Sequence, residues 1–297
     1  MVGETTHSHF ASLRPWSLLL TAFVLCFSVA GSQTTFPADS TVSDSASAHG
    51  FWSRYNLSRM GAAGIVGGSL LYSAGVWWVN DFHSFHLDPS KWWETDMGVD
   101  KEGHVYTCYY MFRAINALLL WGGHDSSSAF WWSLAASGLY GPLIEVGDGF
   151  SQYGFDFNDV AADLAGVGFA ALQVKVPYMQ NFELKWSLYY PLNRHSFKIN
   201  DLYDYHIYWI SARVHNLLPS GARPYWSEWL QMAFGVGTWN HERRTYVLSL
   251  DYNLEKILPD GQDLNVVTKL LNMFHLPAPG VKFRKGAAPE WQLLLLH

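Results

Sequence analysis

Between Asp100 and Gly168 the chain sets ionisable side chains into sequence that is otherwise apolar and helical, and this restricts the folds open to it. The stretch opens Asp100-Lys101-Glu102-Gly103-His104, continues through apolar residues, and ends with Glu145-Val-Gly-Asp148 and Asp156-Phe-Asn-Asp159-Val-Ala-Ala-Asp163. A charge among apolar groups is costly unless it meets an opposite charge or water. Helices that carry these groups must bring them together or turn them to solvent.

Only 15% of the 297 residues are charged, against roughly 25% in ordinary soluble domains, while 49% are hydrophobic and 15 are Trp. That balance points to a membrane as partner, since Trp and Tyr settle at the bilayer interface. A mean hydropathy of -0.01 limits how much of the chain can lie in lipid. Net charge -6 and a pI near 6.1 argue against nucleic acid as a partner.

Residues 1–30 read as an export signal: Arg14 is the positive flank, Trp16 to Val29 the short apolar run, and Ser28-Val29-Ala30 the small-residue cleavage site. Lipid attachment at Cys26 is not expected, because Phe23-Val24-Leu25 precedes it instead of a small residue. Cleavage would leave Cys108 as the single cysteine, with no intrachain disulfide. Residues 31–50, rich in Ser, Thr, Ala and Asp, read as a disordered linker.

Four helices are predicted next. Met60 to Val79 carries no charge and is just long enough to cross a bilayer, with Gly64 and Gly68 spaced for a close helix contact; a Gly-rich helix buried in a soluble bundle is the alternative. A polar connection follows, in which His83 and His86 are either a metal pair or two surface histidines. His104 to Trp121 is apolar almost all round, with Arg113 in its middle expected to meet the acids of the later helices. Ala129 to Val146 is apolar until Glu145, with Pro142 a kink or fresh start. A fourth helix, capped by Asp156 or Asn158, runs to about Val174.

After Pro177 the period changes to two. Phe182 to Tyr190 alternates, and so does Tyr246 to Tyr252, which pairs with Ala233 to Trp239. Asp201 to Leu217 and Tyr225 to Met232 read as amphipathic helices or loops, Asp263 to Phe274 as a helix with one apolar face, and 281–284 and 291–296 as short strands. The fold predicted is mostly α: a four-helix membrane-associated bundle over residues 51–178, then a C-terminal α+β half, 179–297, with a small antiparallel sheet.

Antiparallel packing with short loops would gather Asp100, Lys101, His104, Glu145, Asp148, Asp159 and Asp163 at one end of the bundle, with Arg113 joining them. Three chemistries fit such a cluster. It can be a structural network fixing helix register. It can hold a divalent metal through His104 and the acids, suiting Mn or Zn. Or an acid and His104 can act as general acid and base on a lipid head group or glycan. The sequence has no nucleophile elbow, no His-Glu-x-x-His, no phosphate-binding glycine loop and no dinucleotide fingerprint, so no cofactor and no catalytic residue is assigned.

The Asp100-Lys101-x-Gly-His104 opening and the segment from Glu145-x-x-Asp148 to Gly168 resemble the YfiM-like family of predicted periplasmic lipoproteins, a domain of unknown function, over roughly Trp93 to Gln173. A more distant likeness is to the membrane-embedded VanZ-like proteins. The first resemblance implies an exported envelope protein with its polar positions at Asp100, Lys101, His104, Glu145, Asp148, Asp159 and Asp163. It implies no activity. The chain therefore reads as an exported cell-envelope protein, periplasmic or membrane-associated, with a structural or binding role for the cluster. The alternative is a metal- or acid/base-dependent enzyme acting on lipid or cell-wall material.

Overall fold

The computed structural model describes residues 50–79, 82–189 and 202–294. The export segment and the linker up to residue 49 lie outside the described residues. Helix α1, Arg54–Ser73, starts on the Ser53 hydroxyl, which accepts from the Asn56 amide at 3.3 Å, and continues as a π-turn over Ala74–Trp78. Helix α2 is Val99–Trp121, α3 is Ser126–Asp148 and α4 is Phe157–Lys175. Carboxylates start two of these: Asp125 accepts from the Ser128 amide at 2.9 Å, and Asp156 from the Asn158 amide at 2.7 Å. Pro142 sits inside α3 without ending it.

Helix α2 is the axis of this half, packed against α1, α3, α4 and the first strands of the sheet. Its Tyr109, Phe112 and Ile115 are fully buried. The approach of α4 to α2 needs Gly166, where a Cβ would fall within the Val105 carbonyl. Gly64 and Gly68, expected to admit a neighbouring helix, do not: a Cβ at either meets nothing within 4 Å. α1 instead packs through Ser58, Ala62, Val66, Leu70 and Ser73, while Gly64, Gly67 and Gly68 look outward.

The second half is a six-stranded antiparallel meander in sequence order: β1 Phe182–Leu188, β2 His206–Ala212, β3 Leu230–Trp239, β4 Arg243–Tyr252, β5 Gly280–Arg284 and β6 Glu290–Gln292. The sheet is larger than the sequence indicates, because β2 falls where helix or loop was expected. His206-Ile-Tyr-Trp-Ile-Ser-Ala212 shows no apolar–polar alternation, since Ile207 and Trp209 are buried on one face while Tyr208 meets α2 on the other. Among the described residues there are seven α-helices: beyond the four long ones come short turns at Val214–Leu217 and Leu254–Ile257, and then α5, Gln262–Leu271, where the helix at Asp263 to Phe274 was expected.

The sheet is curled. Trp209 and Ile207 lie where a Cβ on Gly235 would sit, so the absence of a side chain there lets β2 and β3 wrap closely. The segment after α5 lies against the concave side, with His275 stacked on Trp209 at 3.8 Å and its backbone bonded to Trp186. α2 meets the opposite face through Tyr106, whose ring is 5.9 Å from both Trp186 and Tyr208.

Candidate functional site

Three helix ends and one sheet corner converge on a cavity of about 490 Å³. The left-handed run Asp96, Met97, Gly98 ends the preceding connection and starts α2, which places Asp100, Lys101 and His104 in its first two turns. Glu145 and Asp148 come from the last turn of α3, Asp159 and Asp163 from the first two turns of α4, and Tyr203, His206 and Tyr208 from the sheet side.

The cluster has two halves. In the first, the Lys101 ammonium is 1% exposed and sits 3.1 Å from Asp100, 2.6 Å from Asp156 and 2.7 Å from Asp159. Asp100 also accepts a short hydrogen bond from Tyr203. Burial works against the Asp100 charge, but His104, Lys101 and the Tyr203 hydroxyl outweigh it and lower the pKa. Burial likewise opposes the Lys101 charge, and Asp100, Asp156 and Asp159 more than restore it, raising the pKa.

In the second half, His104 Nδ1 is 3.1 Å from Asp163 Oδ1 and 3.9 Å from Glu145 Oε1, while Nε2 is 3.6 Å from Asp159 Oδ1. Desolvation disfavours the imidazolium, yet Asp163 and Asp159 hold its pKa well above the ordinary value. Glu145 accepts from the Asp156 amide with one oxygen, at 3.0 Å. Its other oxygen, Oε1, and Asp163 Oδ2 are buried without a hydrogen-bond partner. Burial pushes Glu145 up to about 9 and Asp148 up to about 7, although Asp148 accepts from the Trp78 indole at 2.7 Å; burial and Asp100 push Asp159 to about 6. Six carboxylates thus share two bases.

Arg113 is not at this pole. It lies nine residues after His104 on α2, a displacement of about 13 Å at helical rise, and meets the Tyr109 hydroxyl at 2.7 Å, Gln173 at 3.2 Å and Glu183 at 4.0 Å. His83 and His86 are exposed, with ring centroids 6.3 Å apart. The sequence reading missed Asp156 as an ion-pair partner, seeing in it only a helix cap, and missed Tyr203, His206 and Tyr208, which no spacing ties to residue 100.

A pH dependence follows from Glu145. Its carboxyl stays protonated to about 9 when folded but ionises near its ordinary 4.5 when unfolded, so the folded protein holds the extra proton across that window. Stability therefore falls as pH rises through it, and His104, a base with a raised pKa, adds to the fall above 6.5. In chelator-treated protein, Glu145→Gln is expected to raise Tm at pH 8 by roughly 5 °C and to change it little at pH 4. Thermal melts at both pH values check this; equal shifts count against a protonated Glu145.

Comparison with the curated proteins and with the solved structures yields no match. Residues 91–175 match the family model described as predicted periplasmic lipoprotein (DUF2279). That span contains α2, α3 and α4 and, with them, Asp100, Lys101, His104, Glu145, Asp148, Asp159 and Asp163. The chain is an exported cell-envelope protein, and its residues 91–175 are similar to the predicted periplasmic lipoprotein family, the first of the two that its motifs resemble.

Proposed function

We propose that this is a membrane-associated envelope protein whose four long helices form a bundle around a divalent-cation site, with His104, Glu145 and Asp163 as ligands and Asp159 alongside. The observation that carries this reading is the pair of buried carboxylate oxygens, Glu145 Oε1 and Asp163 Oδ2, left without hydrogen bonds beside an imidazole. One ligand atom each from His104, Glu145 and Asp163 lies within 4.8 Å of the others, and so does one each from Asp100, His104 and Asp159. Carboxylate and imidazole donors suit Mn or Zn.

A protonated Glu145 is one way to neutralise the excess of acid; a bound cation is the other, and it also satisfies the orphaned oxygens. Lys101 takes the structural part, holding Asp100, Asp156 and Asp159 and so the register of α2 against α4. A cation at this site would supply Lewis acidity. The tyrosines Tyr203 and Tyr208, with His206, line the space where a polar envelope ligand would lie. Membrane association is supported by α1, which with its π-turn is one apolar helix over Arg54–Trp78, most of it not buried.

Titration of Mn²⁺ and Zn²⁺ into chelator-treated protein, followed by calorimetry, tests the site. One equivalent is expected to bind, and His104→Ala to weaken binding by at least tenfold while the circular dichroism spectrum is kept. No stoichiometric binding, or binding that survives both His104→Ala and Glu145→Gln, rejects it.

A further inference from the structure

A sheet with one face packed and one face wet normally buries its apolar side. Here the enclosed side is mixed, a small apolar cluster of Ile207, Trp209, Ala233 and Val247 among polar groups, and the outer side is apolar. On β3, Gln231, Ala233 and Gly235 are buried while Met232 and Phe234 are exposed; on β4, Thr245, Val247, Ser249 and Asp251 are buried while Tyr246 and Leu248 are exposed. The register aligns Ile210, Phe234 and Leu248 across three strands, and all three are exposed. The concave side holds the charge. Lys185 pairs with Asp251 at 2.8 Å, Glu183 with Arg213 at 2.6 Å, and Asn272 donates to Glu183 at 3.0 Å. Polar residues within and apolar residues without is the pattern of strands whose outer face meets lipid.

The convex face also carries a groove of about 460 Å³, lined by Met232, Leu248, Leu250, Val281, Trp291 and Leu293 among others, with no ionisable side chain in its lining. Helix α5 likewise has an apolar outer side: Thr268 is buried, while Leu264, Val267 and Leu271 are exposed. The outward sides of α1, α3 and α4 add Leu71, Trp131, Leu139 and Leu164. These elements surround α2, so their apolar faces look in several directions. A single flat protein partner covers one direction, whereas fluid acyl chains cover all of them. Apolar surface of this extent left in water is rare on soluble monomers.

We infer that the convex face of the sheet over β3 to β5, beyond the part that α2 covers at Trp186 and Tyr208, lies against the acyl chains of a phospholipid bilayer, with one chain lying in the groove over β4 and β5. The inference rests on the membrane association proposed above and extends it from α1 to the second half of the chain. The test uses full-length protein with Cys26→Ser, reconstituted in phosphatidylethanolamine–phosphatidylglycerol vesicles containing acyl-chain doxyl lipid. Cys108 is buried, and burial pushes its thiol pKa up. A bimane fluorophore is attached at Phe234→Cys, at Leu248→Cys and, as an exposed loop control, at Ser220→Cys.

Quenching at 234 and 248 is expected to exceed that at 220 by at least threefold. If the vesicles float with the protein but the three sites are quenched alike, the sheet inference is overturned and membrane association stands. If the protein does not float with the vesicles, both fall. A disulfide forming between copies through Phe234→Cys, with no excess quenching, assigns the face to a second copy and likewise overturns the inference. The Leu248→Cys site keeps the result decisive should Phe234→Cys fail to fold.

Discussion

Lys185→Met is expected to destabilise the protein by about 3–5 kcal/mol, the cost of leaving a buried carboxylate without its counter-charge. Lys185 is fully buried and Asp251 is 1% exposed at the side chain, with 2.8 Å between them. Lys185 also donates to the Tyr252 carbonyl at 2.8 Å and to Asn272 at 3.3 Å, so its loss removes a donor from three acceptors, of which Asp251 keeps the Ser211 hydroxyl and Asn272 the Leu254 amide. Removing both charges, Lys185→Met with Asp251→Leu, leaves apolar groups that need no partner, and most of the loss is expected to be recovered. Chemical denaturation of the two single variants and the double variant measures the coupling. Additive losses would show that the pair does not act as a unit inside the curled sheet.

Gly166→Leu is expected to cost about 3 kcal/mol or more, because overpacking at a backbone contact cannot be relieved by rotating a side chain. The first carbon added would fall within the Val105 carbonyl and 3.1 Å from the Tyr109 amide, so α4 must move away from α2. That movement separates Asp159 and Asp163 from Lys101 and His104, and cation binding should fall with stability. Gly68→Ala supplies the contrast. It meets open space and gains helix propensity of up to about 1 kcal/mol. Equal losses at the two glycines in thermal melts would overturn the packing described for α1 and α4.

The helical half was largely legible because its signals are local. Asp156, one of the two residues expected to cap the fourth helix, starts α4 as the rules for helix starts require. Among the strands, β1, β3 and β4 alternate and were readable; β2 does not, since both of its faces are apolar or aromatic. Asp100, Lys101, His104, Glu145, Asp159 and Asp163 were readable as candidates for a shared pole because short connections force neighbouring helix ends together. Arg113 was misplaced for a geometric reason: burying a guanidinium demands a carboxylate but not a particular one, and Glu183, from the sheet, is the nearer.

The kind of each element and the need for the ionisable groups to meet follow from residue order alone, because caps, periodicity and the cost of a buried charge act within a few residues. The side of the sheet that faces inward does not follow from it. Alternation establishes that a strand has two unlike faces, and only the packing of β1 to β6 around the segment after α5, with α2 on the other side, settles that the polar face is enclosed. Burying charge on the concave side is tolerable because Lys185, Asp251, Glu183, Arg213 and Asn272 satisfy one another there, and those partners lie too far apart in the chain for any local pattern to join them.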